Sequence, residues 1–295
     1  MRVLILGGGG MLGHKLYQVL QERCEVHATF RRFDARLRMT EIFRDERVID
    51  GVDAWDMSSV RAAVAQVQPN WVVNCIGVIK QLDEIRDAKT TIYVNALFPH
   101  LLCECSADIG ARVIHLSTDC VFSGKRGDYL EEDASDAVDL YGKTKHLGEL
   151  TCNHALTLRT SIVGRDLFRD VSLIDWFLSQ SGKSVQGYRN AIYTGLSTDA
   201  LSREIWRIMT EYPGLHGLYH VSASKISKFA LLTLVNRLFN AGITIEPYDG
   251  VLCDRSLRSD RYRRETGFVP PSWEEMVAGM ARDPTPYDRF RRARG

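Results

Sequence analysis

Short apolar runs alternate along the first half of the chain with stretches in which apolar side chains recur every three or four positions. Val3, Leu4, Ile5 and Leu6 form an unbroken apolar run that ends in four glycines, the pattern of a strand buried on both faces. Over residues 11–21, Leu12, Leu16, Val19 and Leu20 fall at helical spacing. The alternation continues with strands expected over 25–30, 71–76, 112–116 and 156–160, and helices over 59–67, 91–109 and 142–152. Strands separated by helices call for a parallel sheet covered on both faces. The expected fold class is therefore α/β, a Rossmann-type doubly wound parallel sheet.

After Gly164 the rhythm changes. Helical patterns cover 175–180, 198–212, 227–239, 258–266 and 273–281, and strand-like pieces cover 186–197, 217–221 and 243–247. Neither an internal repeat nor a low-complexity linker divides the chain. The expected organisation is a cofactor-binding domain over 1–163, with 196–226 returning to it. A smaller, interwoven substrate-binding part takes 164–195 and 227–295.

Composition narrows the class without naming a function. The 295 residues are 45% hydrophobic and 25% charged, ordinary for a globular protein. With 38 basic against 37 acidic residues the net charge is +1, so neither a nucleic-acid partner nor a membrane surface is expected. The Arg-rich stretch 289–294 reads as a solvated tail. No run approaches the ~18–20 apolar residues of a membrane span, and no signal peptide is expected. Seven scattered cysteines fit a reducing, cytoplasmic setting. Cys103 and Cys105 read as helix residues, and no metal is expected.

Chemistry enters at the first strand-to-helix junction. Gly7, Gly10 and Gly13 form G-x-x-G-x-x-G there. Glycines at that spacing allow a tight turn and bring backbone N–H groups and a helix N-terminus to a pyrophosphate. Arg31 and Arg32 stand at the end of the second strand, where an acidic residue would bind the ribose of NAD. Arginines suit a 2′-phosphate instead, so the expected cofactor is NADPH (NADP). Asp53, after a third strand, is placed either at the adenine or in a plain turn.

Tyr141 and Lys145 lie four residues apart at a helix start and so share one face. A tyrosine is a poor acid or base near neutrality, with a free pKa of ~10. An adjacent ammonium favours its ionised form. Ser117 and Thr118 end a buried strand upstream, at the sheet edge where ligands of open α/β sheets bind. Either hydroxyl could hold a substrate carbonyl. Together these residues suit hydride transfer from a nicotinamide with a proton from Tyr141.

These residues resemble the extended short-chain dehydrogenases/reductases, and within them the dTDP-4-dehydrorhamnose reductase-like nucleotide-sugar reductases. The resemblance is carried by the glycines at 7–13, by 73–77 (VNCIG), 94–96 (VNA), 117–124 (STDCVFSG) and Tyr129 with Glu131 and Glu132. It continues through 141–145 (YGKTK), Gly148 and Glu149, 158–160 (LRT), Gly195, Ser197 and Thr198. It covers residues 1 to about 200 and loosens beyond, where Gly267 and Trp273 keep the spacing. It implies reduction of the 4-keto group of a nucleotide-activated 6-deoxyhexose, in deoxysugar and cell-surface polysaccharide biosynthesis. Tyr141 is then the proton donor, Lys145 holds the nicotinamide ribose, and Thr118 orients the keto oxygen. Gly10, Met11 and Leu12 line the pyrophosphate turn, and Cys75 and Gly77 border the cofactor. The substrate would meet Lys80, Ser117, Cys120, Arg159, Asn190 and Tyr193, whereas Arg255 and Arg258 read as structural charges. Cys120 and Ser123 stand where rhamnose-forming members carry Tyr and Asp, and residues 186–198 also depart. The nucleotide and the sugar therefore stay open, as do a homodimer and Mg²⁺ at Glu131 and Glu132.

Two other readings use the same scaffold. An epimerase or dehydratase would recycle bound NAD, but a dehydratase would want an acid after Asp119, where Cys120 stands. A non-catalytic NADP-binding regulatory protein would not need Thr118, Tyr141 and Lys145 intact.

Overall fold

The computed structural model describes residues 1–79 and 87–292. In the first half, strands β1 (Arg2–Leu6), β2 (Glu25–Thr29), β3 (Val48–Ile49), β4 (Trp71–Asn74), β5 (Arg112–Thr118) and β6 (Ala155–Thr160) follow one another. They are joined through helices α1 (Met11–Leu20), α2 (Ala35–Arg38), α3 (Met57–Val67), α4 (Ala88–Ile92), α5 (Phe98–Ala107) and α6 (Leu140–Leu147). In the second half come β7 (Ile162–Val163), β8 (Ser184–Tyr188), β9 (Ala191–Tyr193), β10 (Leu196–Ser197), β11 (Gly217–His220), β12 (Ile226–Ser227), β13 (Thr244–Tyr248) and β14 (Cys253–Asp254). Its helices are α7 (Leu173–Leu178), α8 (Thr198–Glu211), α9 (Lys228–Phe239), α10 (Asp260–Thr266), α11 (Trp273–Ala281) and α12 (Tyr287–Arg292).

Seven parallel strands form the central sheet in the order β11-β6-β5-β4-β1-β2-β3. The strand order reverses between β1 and β4, which opens a crevice beyond their carboxyl ends. β1 shows why its apolar run has no polar break. Val3 and Ile5 enter a core layer with Leu16, Leu20, Leu201 and Ile205, while Leu4 and Leu6 enter the opposite layer with Val60, Val64, Phe98 and Leu102. Side chains alternate along a strand, so both faces need apolar residues when helices cover both.

Three smaller sheets, β12-β9-β14, β13-β8 and β10-β7, lie outside the central one. They are tied to the loop after β5 by a bridge between Tyr129 and Leu257, which pack with Val121 and Phe122. This contact carries the second half of the chain to the carboxyl edge of β5.

Three expectations need correction. The long helix over 91–109 is interrupted by a π-helical turn, Tyr93–Leu97, between α4 and α5. The helix expected over 142–152 stops at Leu147, with Gly148 as its cap; a side chain on Gly148 would strike the Asn95 carbonyl, so only glycine fits there. Of the Arg-rich stretch, the described residues 289–292 are not a solvated tail. α12 is helical there, and the Arg291 guanidinium donates to Asp175 at 2.5 Å and to the Asp166 carbonyl at 2.6 Å.

Candidate active site

The site begins at the turn between β1 and α1. Gly7 adopts a left-handed φ of +80°, and a Cβ on Gly13 would lie 2.2 Å from the Gly7 carbonyl oxygen. Only glycine permits that approach of helix to strand. Gly10 caps α1 without a side-chain hydrogen bond, which leaves the first-turn N–H groups of Met11 and Leu12 facing the crevice end. The Gly7 turn packs on the backbone of Cys75, which burial keeps a neutral thiol with its pKa pushed up to about 12. Gly77 follows in an exposed loop. Arg31 and Arg32 are both exposed just past β2, and neither meets a carboxylate among the described residues. The Asp53 carboxylate accepts from the Trp55 N–H at 3.0 Å and closes a turn.

The second half of the site sits at the end of β5. Thr118 accepts from the Cys120 N–H and donates to the buried Asp119 carboxylate, both at 3.1 Å. Asp139 caps α6 by accepting from the Gly142 N–H at 2.8 Å, which fixes the helix start at Leu140 and puts Tyr141 in its first turn. A Cβ on Gly142 would lie 2.2 Å from the Cys120 carbonyl oxygen, so glycine lets α6 close onto the loop after β5. Tyr141 is thereby brought into hydrogen-bond reach of the Thr118 hydroxyl. Burial, with Cys120 and Asp119 nearby, raises the Tyr141 pKa above its ordinary value, and the Thr118 contact only partly opposes this.

Lys145 lies one turn further along α6. Its ammonium donates to the Leu116 carbonyl at 2.6 Å and stands 3.4 Å from His115 Nε2. Burial brings its pKa down to about 8. The expected lowering of the Tyr141 pKa by Lys145 is thus replaced by a raising through burial. His115, unremarked in the sequence, occupies the face of β5 shared with Ser117. The Ile76 N–H donates to Asn74 Oδ1, so Asn74 Nδ2 faces His115 Nδ1, at 3.2 Å. Burial holds His115 neutral, its pKa well below the usual histidine range.

The substrate candidates divide. Lys80 lies outside the described residues. Arg159 is not at the crevice: it is buried, pairing through Nε and one terminal nitrogen with both Glu149 oxygens, at 2.6 and 2.7 Å. The other terminal nitrogen stands 3.3 Å from His220 Nε2. Ser117 joins the same cluster, donating to Glu149 at 2.7 Å, so both residues serve the scaffold. Burial opposes ionisation of Glu149, but Arg159, Ser117 and His146 outweigh it and its pKa is lowered. Asn190 sits in an exposed turn and donates to the Asp249 carbonyl at 3.2 Å. Cys120 and Tyr193 do gather at the Tyr141 end, Cys120 beside Tyr141 and Tyr193 beside Asp119. The Tyr193 hydroxyl is buried without a hydrogen-bond partner among the described residues.

Arg255 is the residue that sequence reasoning set aside. Its Nε donates to the Phe122 carbonyl at 2.9 Å, beside Cys120 and Asp119. Burial works against its charge, but Cys120, Cys253, Asp119 and Asp139 outweigh it and raise its pKa. Asn95, within the π-helical turn, donates to the Val78 carbonyl and accepts from the Val78 N–H, both at 2.9 Å. It holds the loop that follows β4, and a π turn is a common mark of functional positions.

A glycine turn on a doubly wound sheet, with Thr118, Tyr141 and Lys145 across the crevice, defines the extended short-chain dehydrogenase/reductase class. The family model described as the RmlD substrate binding domain matches residues 1–284, and the chain belongs to that family. It is 29% identical to the spore coat polysaccharide biosynthesis protein SpsK of Bacillus subtilis (strain 168), covering 94% of this chain and 95% of that one. It is also 29% identical to a probable dTDP-4,6-dihydroxy-2-methyloxan-3-one 4-ketoreductase of Streptomyces antibioticus, over 92% and 90% of the two chains. Among solved structures, dTDP-4-dehydrorhamnose reductase of Bacillus anthracis in complex with NADP superposes with a TM-score of 0.77 at 22% identity. It spans 95% of this chain and 98% of that one, a likeness of fold.

Proposed function

We propose that this chain is a cytoplasmic NADPH-dependent reductase of the 4-keto group of a nucleotide-activated 6-deoxyhexose, in deoxysugar and cell-surface polysaccharide biosynthesis. One observation carries the reading: a buried, protonated tyrosine lies against a threonine hydroxyl at the carboxyl edge of the sheet, across from a glycine turn. The likeness to the Streptomyces ketoreductase supports the reaction class, and the NADP complex of the Bacillus anthracis reductase supports the cofactor.

The residues fit a dinucleotide. The cradle at Gly7 and Gly13 closes to any side chain, the N–H groups after Gly10 lack a side-chain cap, and Arg31 and Arg32 are open to a 2′-phosphate. Gly7, Gly10, Met11, Leu12, Gly13, Cys75 and Gly77 would line it, with Lys145 at its ribose. When bound, the dinucleotide supplies the hydride that reduces the carbonyl. Thr118 holds the keto oxygen against the Tyr141 hydroxyl. Tyr141, kept neutral by burial, gives its proton to that oxygen as negative charge develops on it. Lys145 places a positive charge behind the phenol and stabilises the anion left on it. The Leu116 carbonyl, accepting from Lys145, sets the position of the ammonium. We assign substrate recognition to 164–195 and 227–295, with Tyr193 toward the sugar and Arg255 toward the diphosphate. A homodimer fits this assignment.

Purified protein mixed with NADPH and each of a panel of dTDP-, GDP- and UDP-4-keto-6-deoxyhexoses tests the reading by loss of nicotinamide absorbance. Oxidation with one of them is expected. Tight NADPH binding without oxidation across the panel overturns the reductase in favour of an epimerase or a regulatory protein.

A further inference from the structure

Three side chains far from the crevice converge on one point. Cys103 lies on α5, Cys152 in the connection after α6, and His154 one residue before β6. Cys103 Sγ is 2.9 Å from Cys152 Sγ and 3.2 Å from His154 Nε2, and Cys152 Sγ is 3.7 Å from the same nitrogen. Cys103 is buried and the other two are half-buried, so the cluster is reached from solvent on one side. The His154 carbonyl accepts from the Val113 N–H at the start of β5. At ~3.3 Å per residue, Thr118 is then about 17 Å away along the strand. The cluster therefore has no part in the crevice.

We propose that Cys103, Cys152 and His154 form a binding site for a soft divalent cation such as Zn²⁺. Tetrahedral zinc with Zn–S of ~2.3 Å and Zn–N of ~2.0–2.1 Å sets its sulfur and nitrogen ligands about 3.5 Å apart and two sulfurs about 3.8 Å apart. The two sulfur–nitrogen distances straddle the first value. The sulfurs reach the second by parting about 0.9 Å, a small rotamer adjustment at the half-buried Cys152. A disulfide would use only the sulfurs, whereas here one imidazole nitrogen faces both, as a shared ion requires. Two thiolates and a neutral imidazole suit zinc over Mg²⁺ or Ca²⁺, which prefer oxygen. Binding exchanges the two thiol protons for the ion, with no redox change, and leaves a fourth position for water. Cys105, two residues along α5, is outside the cluster. Such an ion ties α5 to the segment that joins α6 to β6, which clamps the helix carrying Tyr141 from behind.

The test uses the full chain, reduced and stripped by a chelator, then titrated with Co²⁺ and with Zn²⁺. One Co²⁺ per chain is expected, with thiolate charge-transfer and tetrahedral d–d bands that Zn²⁺ displaces, and Zn²⁺ raises the Tm. Cys152→Ser and His154→Ala abolish the bands and the Tm shift, while Cys105→Ser keeps both. NADPH binding is unchanged in all three variants, which separates this site from the crevice. A reduced wild-type protein that shows no tetrahedral cobalt spectrum overturns the proposal. So does a native Cys103–Cys152 disulfide in a protein that binds no metal after reduction.

Discussion

Ser117 and Thr118 are neighbours on β5, yet their side chains leave opposite faces of the sheet and enter two unlike polar clusters. On the Ser117 side, Glu149 accepts from Ser117 and from two nitrogens of Arg159, whose third nitrogen meets His220. Every charge there is met by a partner. On the Thr118 side, Tyr193 carries a buried hydroxyl with no partner among the described residues, burial drives the Tyr141 pKa up, and Arg255 keeps a guanidinium beside Cys120 and Asp119. The first cluster has the composition of a scaffold that stabilises itself. The second leaves polar groups short of partners at the crevice, where a ligand can supply them. Saturation of hydrogen bonds separates structure from chemistry here better than residue type does, since each cluster holds a hydroxyl and a cation.

If this contrast is right, substitutions in the two clusters separate activity from stability. The largest effect is expected for Tyr141→Phe, which should lower kcat by about 10²–10⁴-fold while Tm and NADPH affinity stay near wild type. Arg159→Met should do the reverse. Leaving Glu149 buried without its partner should cost about 3–5 kcal/mol in denaturant unfolding, with KM of the folded fraction unchanged. Lys145→Met should lower kcat by less than Tyr141→Phe does and yet raise stability at pH 7 by about 1–3 kcal/mol, because it removes a buried charge. The sign follows from the direction of its shift. The folded pKa of about 8 lies below the ordinary 10.5, so the penalty is present in full below pH 8 and fades as pH rises to 10.5. The gain in Tm should therefore shrink at pH 10. Smaller still is Tyr193→Phe, which removes the orphaned hydroxyl. Stability should be equal to wild type or higher by about 1 kcal/mol, and KM for the sugar nucleotide should rise several-fold if the hydroxyl meets substrate. For the wild type, kcat/KM should fall as pH rises through about 8, when Lys145 loses its proton.

Much of the sheet was legible in the apolar runs, because strands covered on both faces are mostly apolar and carry polar side chains only where partners meet them. β3 was legible only as a third strand somewhere before Asp53, without bounds, since a two-residue edge strand, Val48–Ile49, has no periodicity to read. The reacting trio could be read because it is local: Thr118 ends a strand, and Tyr141 and Lys145 share a helix face. The π turn that holds Asn95 was invisible, because an apolar stripe at helical spacing runs through it. Arg159 was misplaced for a physical reason. An arginine at a strand end can face a ligand or a carboxylate, and its partner Glu149 lies just past the end of α6, where sequence spacing does not show which way it faces. Arg255 could not be placed from the sequence at all, since it reaches Phe122 and Cys120 through the tertiary bridge between Tyr129 and Leu257. His115 left a weak signal, a histidine inside an otherwise apolar run, that points to a buried polar contact.

The account rests on Tyr141 serving reduction at sugar C4, and the most direct measurement follows a label. NADPH deuterated at the transferable nicotinamide position is incubated with the 4-keto sugar nucleotide that the panel selects, and the product is read by NMR. Deuterium at C4 with the wild-type protein, and no labelled product with Tyr141→Phe over the same time, is the predicted result. Label at another carbon, or Tyr141→Phe turning over at the wild-type rate, would contradict it.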